Sequence, residues 1–353
     1  MSRIENLRSL IQKENINGFF INYIPNIRYL SKFSGSSASL ILTYQKNYFF
    51  TDFRYKDQSH AEVKDFNIII NYDNTTELAK VIKEDGLKRI GFESTHMTYS
   101  SLETMKTTFP GIEFVPLKEE VEKLTLRKLP DELENLKKAI QITDKVFLKL
   151  LEIIKPGITE LDVAAEITYL HKKLGASEDS FHPIVASGWR GALPHGRAAN
   201  KVIENGEMVT LDFGCCYNGF CSDMTRTISV GKPNDELIKI YNIVFEAQKR
   251  AVDAASTKLT SKQLDSVARD YIVGKGFGEN FGHGLGHGLG IDVHEMPGLN
   301  QRVELTLFEN SVVTIEPGIY IDKLGGVRIE DDIILKNDGC EVMNTSPKEL
   351  IIL

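Results

Sequence analysis

The sequence predicts an α/β domain over residues 1–123 followed by a larger α+β domain over residues 124–353 that carries an internal pseudo-two-fold repeat. Three observations carry this reading. A chain of 353 residues is longer than one ordinary core organises, so two domains are the natural division. Its first third alternates strand-like and helix-like stretches. Its remainder opens on a long amphipathic helix and then repeats short motifs.

In the first domain residues 1–16 read as an amphipathic helix with charges throughout, unlike a signal peptide. Apolar runs predict strands at Gly18 to Ile24, Leu40 to Phe50, Phe66 to Tyr72, Arg89 to Glu93 and Glu113 to Leu117. Helices are expected at Thr76 to Asp85 and Tyr99 to Thr108. No polar residues here form a catalytic set. His60 and His96 stand alone and read as surface or hydrogen-bonded histidines.

The boundary falls near Lys123 to Pro130. Pro130 opens a helix, and Asp131 and Glu132 sit in its first turn, where the helix dipole favours acids. Leu133, Leu136, Ile140, Phe147, Leu150, Leu151 and Ile154 form its apolar stripe, and Lys155-Pro156-Gly157 stops it. Thr159 caps the next helix, which ends at Gly175 and should turn His171 to solvent.

Met208 to Val230 reads as a β-hairpin with Asn218-Gly219 as its two-residue turn. That turn sets Tyr217 against Phe220 and Asp212 against Thr225, which makes Asp212 and Asp223 diagonal neighbours on one face. Two buried carboxylates side by side need a positive partner. A divalent cation would serve; so would one solvated Asp and one held by Arg226, and the hairpin alone leaves both readings open. The repeat weighs on the choice. Val209 to Gly214 resembles Val313 to Gly318, and Gly219 before Asp223 matches Gly326 before Glu330. Likewise Thr159-Glu160-Leu161-Asp162 resembles the stretch at Ser261 to Asp265. Two such halves would bring Glu316 and Glu330 to Asp212 and Asp223.

Gly282 to Glu295 reads GHGLGHGLGIDVHE, with His283, His287 and His294 among glycines that let backbone approach closely. No window is GxGxxG, no GK[ST] follows, and neither HExxH nor GxSxG occurs. One imidazole beside four carboxylates suits two oxygen-loving divalent cations that share bridging carboxylates. His195, in a loop-like stretch before the hairpin, could reach over such a site.

Composition narrows the class. The chain has 42% hydrophobic and 26% charged residues, as ordinary globular proteins do. Its net charge of −7 argues against nucleic acid or an anionic membrane as partner. No apolar run approaches the ~20 residues that span a bilayer. Its four cysteines, Cys215, Cys216, Cys221 and Cys340, include no CxxC; a disulfide framework is not expected and a reducing cytoplasm fits.

The stretches IVASGWRGALPHG, VTLDFGCCYNGFCSDMTRT, FGHGLGHGLGIDVHE, TIEPGIYI and GVRIEDD together resemble the pita-bread metallopeptidases, in the Xaa-Pro branch of aminopeptidase P and prolidase. NIRYLSKFSGSSASLILT, TDFRYKDQ and IGFE resemble that branch's creatinase-like N-terminal domain. The resemblance covers nearly the whole chain. It implies Asp212 as bidentate ligand of one metal, Asp223 and Glu330 as bridges, and His287 and Glu316 as ligands of the other. It implies His195 and His294 as residues that hold the substrate and stabilise the tetrahedral intermediate, and Glu316 as proton shuttle. His283 resembles a further substrate-side histidine, and Arg328 the arginine that supports the metal carboxylates or the substrate. His182-Pro183 and Cys215-Cys216 depart from the usual residues at their positions, away from any ligand position.

The chemistry implied is metal-assisted hydrolysis of the bond before proline in short peptides, by a cytoplasmic homodimer. The ligand mixture suits Mn²⁺, with Co²⁺ or Zn²⁺ as alternatives. Aminopeptidase P and strict dipeptidase action differ in whether a residue beyond proline fits. A methionine aminopeptidase would share the ligands but not the N-terminal domain. A creatinase-type amidinohydrolase or a non-catalytic binding module need not keep all five ligands.

Overall fold

A computed structural model describes residues 3–71 and 73–353. The chain divides into two compact units, Met1–Leu124 and Thr125–Leu353. Met1 and Ser2, the first residues of the expected N-terminal helix, and Tyr72, the last residue of an expected strand, lie outside the described residues.

The first unit is built on a six-stranded mixed sheet, in the order Asn67–Ile70, Asn47–Thr51, Ser39–Thr43, Gly18–Ile21, Arg89–Glu93, Glu113–Leu117. Three expected strands differ from their apolar runs, and Phe66 to Tyr72 keeps only Asn67–Ile70 as strand. Gly18–Ile21 stops because Pro25 stands in the first turn of the helix Ile24–Ser31. Leu40 to Phe50 is two strands rather than one. The Thr43 hydroxyl accepts the Lys46 N–H at 3.0 Å and turns the chain back into a hairpin. The expected helix Tyr99–Thr108 is present, and the other runs Asn74–Glu84. His60 is exposed and His96 stacks on Tyr23, with ring centroids 3.7 Å apart.

The second unit has two helix pairs, each packed on its own strands. Helices Pro130–Ile153 and Glu160–Lys173 cover the strands Glu207–Phe213 and Met224–Val230 through Leu150, Ile167, Leu211 and Ile228. Helices Asp235–Ala254 and Ser261–Gly274 cover Val312–Ile315 and Asp331–Lys336 through Val244, Leu264, Val313 and Ile333. Capping boxes at Thr159 with Asp162 and at Thr260 with Gln263 start the shorter helix of each pair.

The hairpin register is the one the Asn218-Gly219 turn dictates: Tyr217 faces Phe220 and Thr225 faces Asp212. Arg226, on the opposite face from Asp212 and Asp223, holds neither. It is buried and pairs with Asp331 at 2.7 Å, and it donates to the carbonyls of Ser346 and Pro347.

Two expectations are corrected. His171 is fully buried, with Nδ1 2.7 Å from Asp179 and its ring against Phe213. Glu160, Val163, Ile167 and His171 recur at helical spacing and form the buried face, so the histidine belongs to the apolar stripe. Cys216 and Cys221 form a disulfide, since the turn sets them directly opposite with Cα atoms 4.2 Å apart.

Replacing Arg226 by Met leaves Asp331 buried with only Lys348 and Gln248 as side-chain partners. Breaking a buried pair in this way should cost about 3–5 kcal/mol, read as a lowered urea midpoint for the second unit.

Candidate active site

A cavity of about 860 Å³ in the second unit is lined by every residue singled out above: Asp212, Asp223, His287, Glu316, Glu330, His195, His294, His283 and Arg328. The strand Glu207–Phe213 supplies Asp212. Asp223 precedes Met224–Val230, Glu316 follows Val312–Ile315, and Glu330 precedes Asp331–Lys336. Strand ends thus carry the acids, and the short strand Gly286–Gly288 carries His287. The glycines around His287 are needed for space: a Cβ on Gly286 would lie 2.0 Å from the Thr314 carbonyl oxygen, and one on Gly288 2.1 Å from that of Met296.

His287 Nε2 lies 3.3 Å from Glu316 Oε1 and 3.7 Å from Asp223 Oδ2. Its Nδ1 faces the Gly288 carbonyl at 3.0 Å, which directs Nε2 at the acids. Ligand-type atoms of Asp223, His287 and Glu330 lie within 4.8 Å of one another. Glu330 accepts from the Thr225 hydroxyl at 2.6 Å. Arg328 donates to Asp212 at 2.5 Å, to Thr225 at 3.0 Å, to the Tyr320 hydroxyl at 2.8 Å and to the Pro194 carbonyl at 3.2 Å. His283 has Nδ1 on the Gly284 carbonyl and Nε2 on Tyr320, each at 2.8 Å, so both its nitrogens are engaged. The His294 and His287 rings meet edge to face with centroids 4.4 Å apart. His195 lies exposed at the rim.

The electrostatics of the acids are unbalanced. Burial, the Glu330 charge and the Asp212 charge push Asp223 well above the usual carboxylate range. Burial with the Glu316 and Asp212 charges does the same to Glu330, and burial with the Arg328 charge opposing leaves Asp212 raised. Burial also raises Glu316, but its hydrogen bond to His287 and the surrounding positive charge outweigh that and hold it at about 2. Asp223 Oδ1 and Glu330 Oε1 are buried without a hydrogen-bond partner among the described residues. Carboxylate oxygens left bare in a crowded acidic pocket are what a bound divalent cation satisfies.

Four contributors escape the motif reading. Asp332 is fully buried, raised well above its ordinary range by burial, and accepts the Asp223 N–H at 3.1 Å. Its signal was available, because it lies two residues beyond Glu330 and so on the same strand face. Thr225 is likewise two residues from Asp223. Tyr320, which burial raises to about 12, and Thr314, which donates to Glu316 at 3.2 Å, carry no signal separable from packing.

Known proteins resemble the chain over both of its units. Residues 134–337 match the model of metallopeptidase family M24, and residues 3–126 that of the creatinase/prolidase N-terminal domain. A solved structure of a Xaa-Pro dipeptidase from Bacillus anthracis is 46% identical, with 99% of each chain covered and a TM-score of 0.96. An X-Pro aminopeptidase structure from Thermotoga maritima is 39% identical over 100% of both chains, with a TM-score of 0.93. A Xaa-Pro dipeptidase of Pyrococcus furiosus is 39% identical over 99% of both sequences. The chain belongs to metallopeptidase family M24, whose members use divalent metal ions, in the branch that carries the creatinase/prolidase N-terminal domain.

Proposed function

We propose that this hydrolase is a dinuclear peptidase that releases the N-terminal residue from Xaa-Pro peptides. One observation carries the reading: Asp212, Asp223, His287, Glu316 and Glu330 converge in one cavity, with bare carboxylate oxygens on Asp223 and Glu330. In this reading two divalent cations would be held by these five residues, with Asp223 and Glu330 as the shared ligands, Asp212 as a ligand of one and His287 and Glu316 as ligands of the other. Mn²⁺ suits this oxygen-rich set, with Co²⁺ or Zn²⁺ as alternatives. When bound, the two ions supply Lewis acidity and acidify a water molecule.

The chain's own residues do the rest. Arg328 and Thr225 fix the orientation of Asp212 and Glu330. Glu316 takes up the proton released by the attacking water and passes it to the leaving nitrogen. His195 and His294 donate hydrogen bonds to the scissile carbonyl or the leaving nitrogen. His283, tied to Tyr320, meets the substrate through its ring. Phe181, Ile184, Pro194 and Val293 give the cavity an apolar wall suited to a pyrrolidine ring. A tertiary amide with no N–H asks for such a wall rather than for a hydrogen-bond acceptor.

A second reading, strict Xaa-Pro dipeptidase action, is supported by the 46% identity to a chain of that name. The proposed location is the cytoplasm and the proposed assembly a homodimer; among the described residues no helix is long and apolar enough to cross a membrane.

Asp223→Asn removes a bridging charge and should lower bound metal, measured by elemental analysis, together with turnover. Full activity in a rigorously metal-free preparation would sink the dinuclear reading. His195→Ala and His294→Ala should retain metal but lose about 10²–10³-fold in kcat. If either variant loses its metal, that histidine has been misassigned. With Mn²⁺, cleavage of both Ala-Pro and Ala-Pro-Ala supports aminopeptidase action. Cleavage of Ala-Pro alone shifts the assignment to dipeptidase, and equal cleavage of Ala-Ala-Ala defeats the proline preference.

A further inference from the structure

We infer that Lys128 and Glu295 are positioning residues, a buried ion pair that fixes the turn from which His294 enters the active site. The inference rests on the reading of His294 as a hydrogen-bond donor to the substrate.

Glu295 directly follows His294 and faces Gly288, the residue after His287, across a strand pair. Its carboxylate is fully engaged. Oε1 accepts the N–H groups of Ile291 and Asp292 at 2.7 and 3.2 Å, which closes the turn that leads to His294. Oε2 accepts the Lys128 ammonium at 2.7 Å and the Thr125 hydroxyl at 2.9 Å. Lys128 Nζ also donates to the Thr125 carbonyl at 2.7 Å. The side chains of the pair are 2% and 4% exposed. An ion pair this deep recovers little net stability over an apolar substitute, because both charges must be desolvated. Its location explains it better than its energy does.

The anchor is fixed independently of the turn. The Lys128 N–H donates to the Asn310 carbonyl at 3.0 Å, and the Ser311 hydroxyl donates to the Leu126 carbonyl at 2.5 Å. The other side of the turn is held by the metal-site hairpin, where the Cys221 N–H, two residues before Asp223, donates to the Gly290 carbonyl at 2.8 Å. Gly290 leaves room for the pair: a Cβ there would lie 2.6 Å from each Glu295 carboxylate oxygen and 2.7 Å from Lys128 Nζ. This glycine, unlike Gly286 and Gly288, is required by a side-chain ion pair rather than by a neighbouring strand. Lys128, Thr125 and Glu295 are absent from the cavity lining. They act on the reaction through His294, whose ring they hold beside His287.

The test compares Lys128→Met, Lys128→Arg, Glu295→Gln and Thr125→Val, each with His294 intact and in a His294→Ala background, in Mn²⁺-loaded enzyme. With His294 present, Lys128→Met and Glu295→Gln should lower kcat by about 10–100-fold, as loss of an orienting partner does, with KM and metal content unchanged. Thr125→Val should lower it less, and Lys128→Arg should restore most of it. In the His294→Ala background the same changes should have no further effect on kcat. In the metal-free protein the His294 imidazole resonance, identified by its loss in His294→Ala, should shift in Lys128→Met and return in Lys128→Arg. Equal losses in both backgrounds would overturn the inference, as would an unchanged kcat for Lys128→Met. If Lys128→Met fails to fold, the Thr125→Val cycle and its resonance shift decide in the same way. Full activity of His294→Ala would sink the His294 reading and the inference with it. Loss of activity in His294→Ala beside a fully active Lys128→Met would sink the inference alone.

Discussion

Asp212, Asp223 and Glu330 are buried around one cavity with the partly buried Glu316, and carboxylates gathered there repel each other in a medium that screens them poorly. Arg328 and His287 supply the nearby positive charge, and they satisfy chiefly Asp212 and Glu316. Asp223 and Glu330 are left raised, each with a bare oxygen. The remaining architecture of the unit serves to hold this unfavourable arrangement in place. Helix pairs bury an apolar layer beneath each set of strands, and the strand ends deliver the acids where the ladders stop. A cation then relieves a strain that the fold has already built.

Holding the acids apart from one another is a backbone problem before it is a side-chain one. The strand Gly286–Gly288 runs between Glu295–Leu299 and Val312–Ile315 and touches both closely enough that a single methyl group would collide. This close approach brings the His287 imidazole within reach of Glu316 and Asp223. The glycine-rich stretch therefore reads as a packing requirement that has an imidazole as its purpose. A phosphate-cradling loop would instead present free N–H groups, whereas here the N–H of His287 is given to the Thr314 hydroxyl and that of Leu289 to the Val312 carbonyl.

Much of this was legible because strand parity is rigid. One turn signal, Asn218-Gly219, determined the register from Tyr217 back to Asp212, and every side chain between followed. The same arithmetic, applied only to the residues that carried a motif, passed over Asp332 and Thr225, each two positions from a named acid. Other losses came from patterns that sequence cannot weigh. A polar residue on an apolar stripe looks solvated until its partner is known, and Asp179 is that partner for His171. Leu40 to Phe50 is apolar enough to hide a turn made by one threonine hydroxyl. The Cys216–Cys221 disulfide is implicit in the register, which sets the two residues opposite each other, and not in the spacing of the cysteines along the chain.

The alternation that made the site readable also sets its stability problem. Asp331 lies between Glu330 and Asp332, Arg226 beside Thr225, and Glu295 beside His294. In each case the neighbour of a site residue turns the other way and is fully paired: Arg226 with Asp331, Glu295 with Lys128. Adjacent residues thus have opposite fates. Along Glu330-Asp331-Asp332 the middle charge is neutralised inside the protein, while the outer two each keep a bare oxygen. A strand cannot move one without moving the other, since their Cα atoms are joined by a single peptide unit. The internal pairs therefore tie down the residues next to the site residues. In the sequence Glu330-Asp331-Asp332 the three acids look equivalent. Only the parity of the strand, and the partners waiting on each face, separate the group that secures the fold from those that border the chemistry.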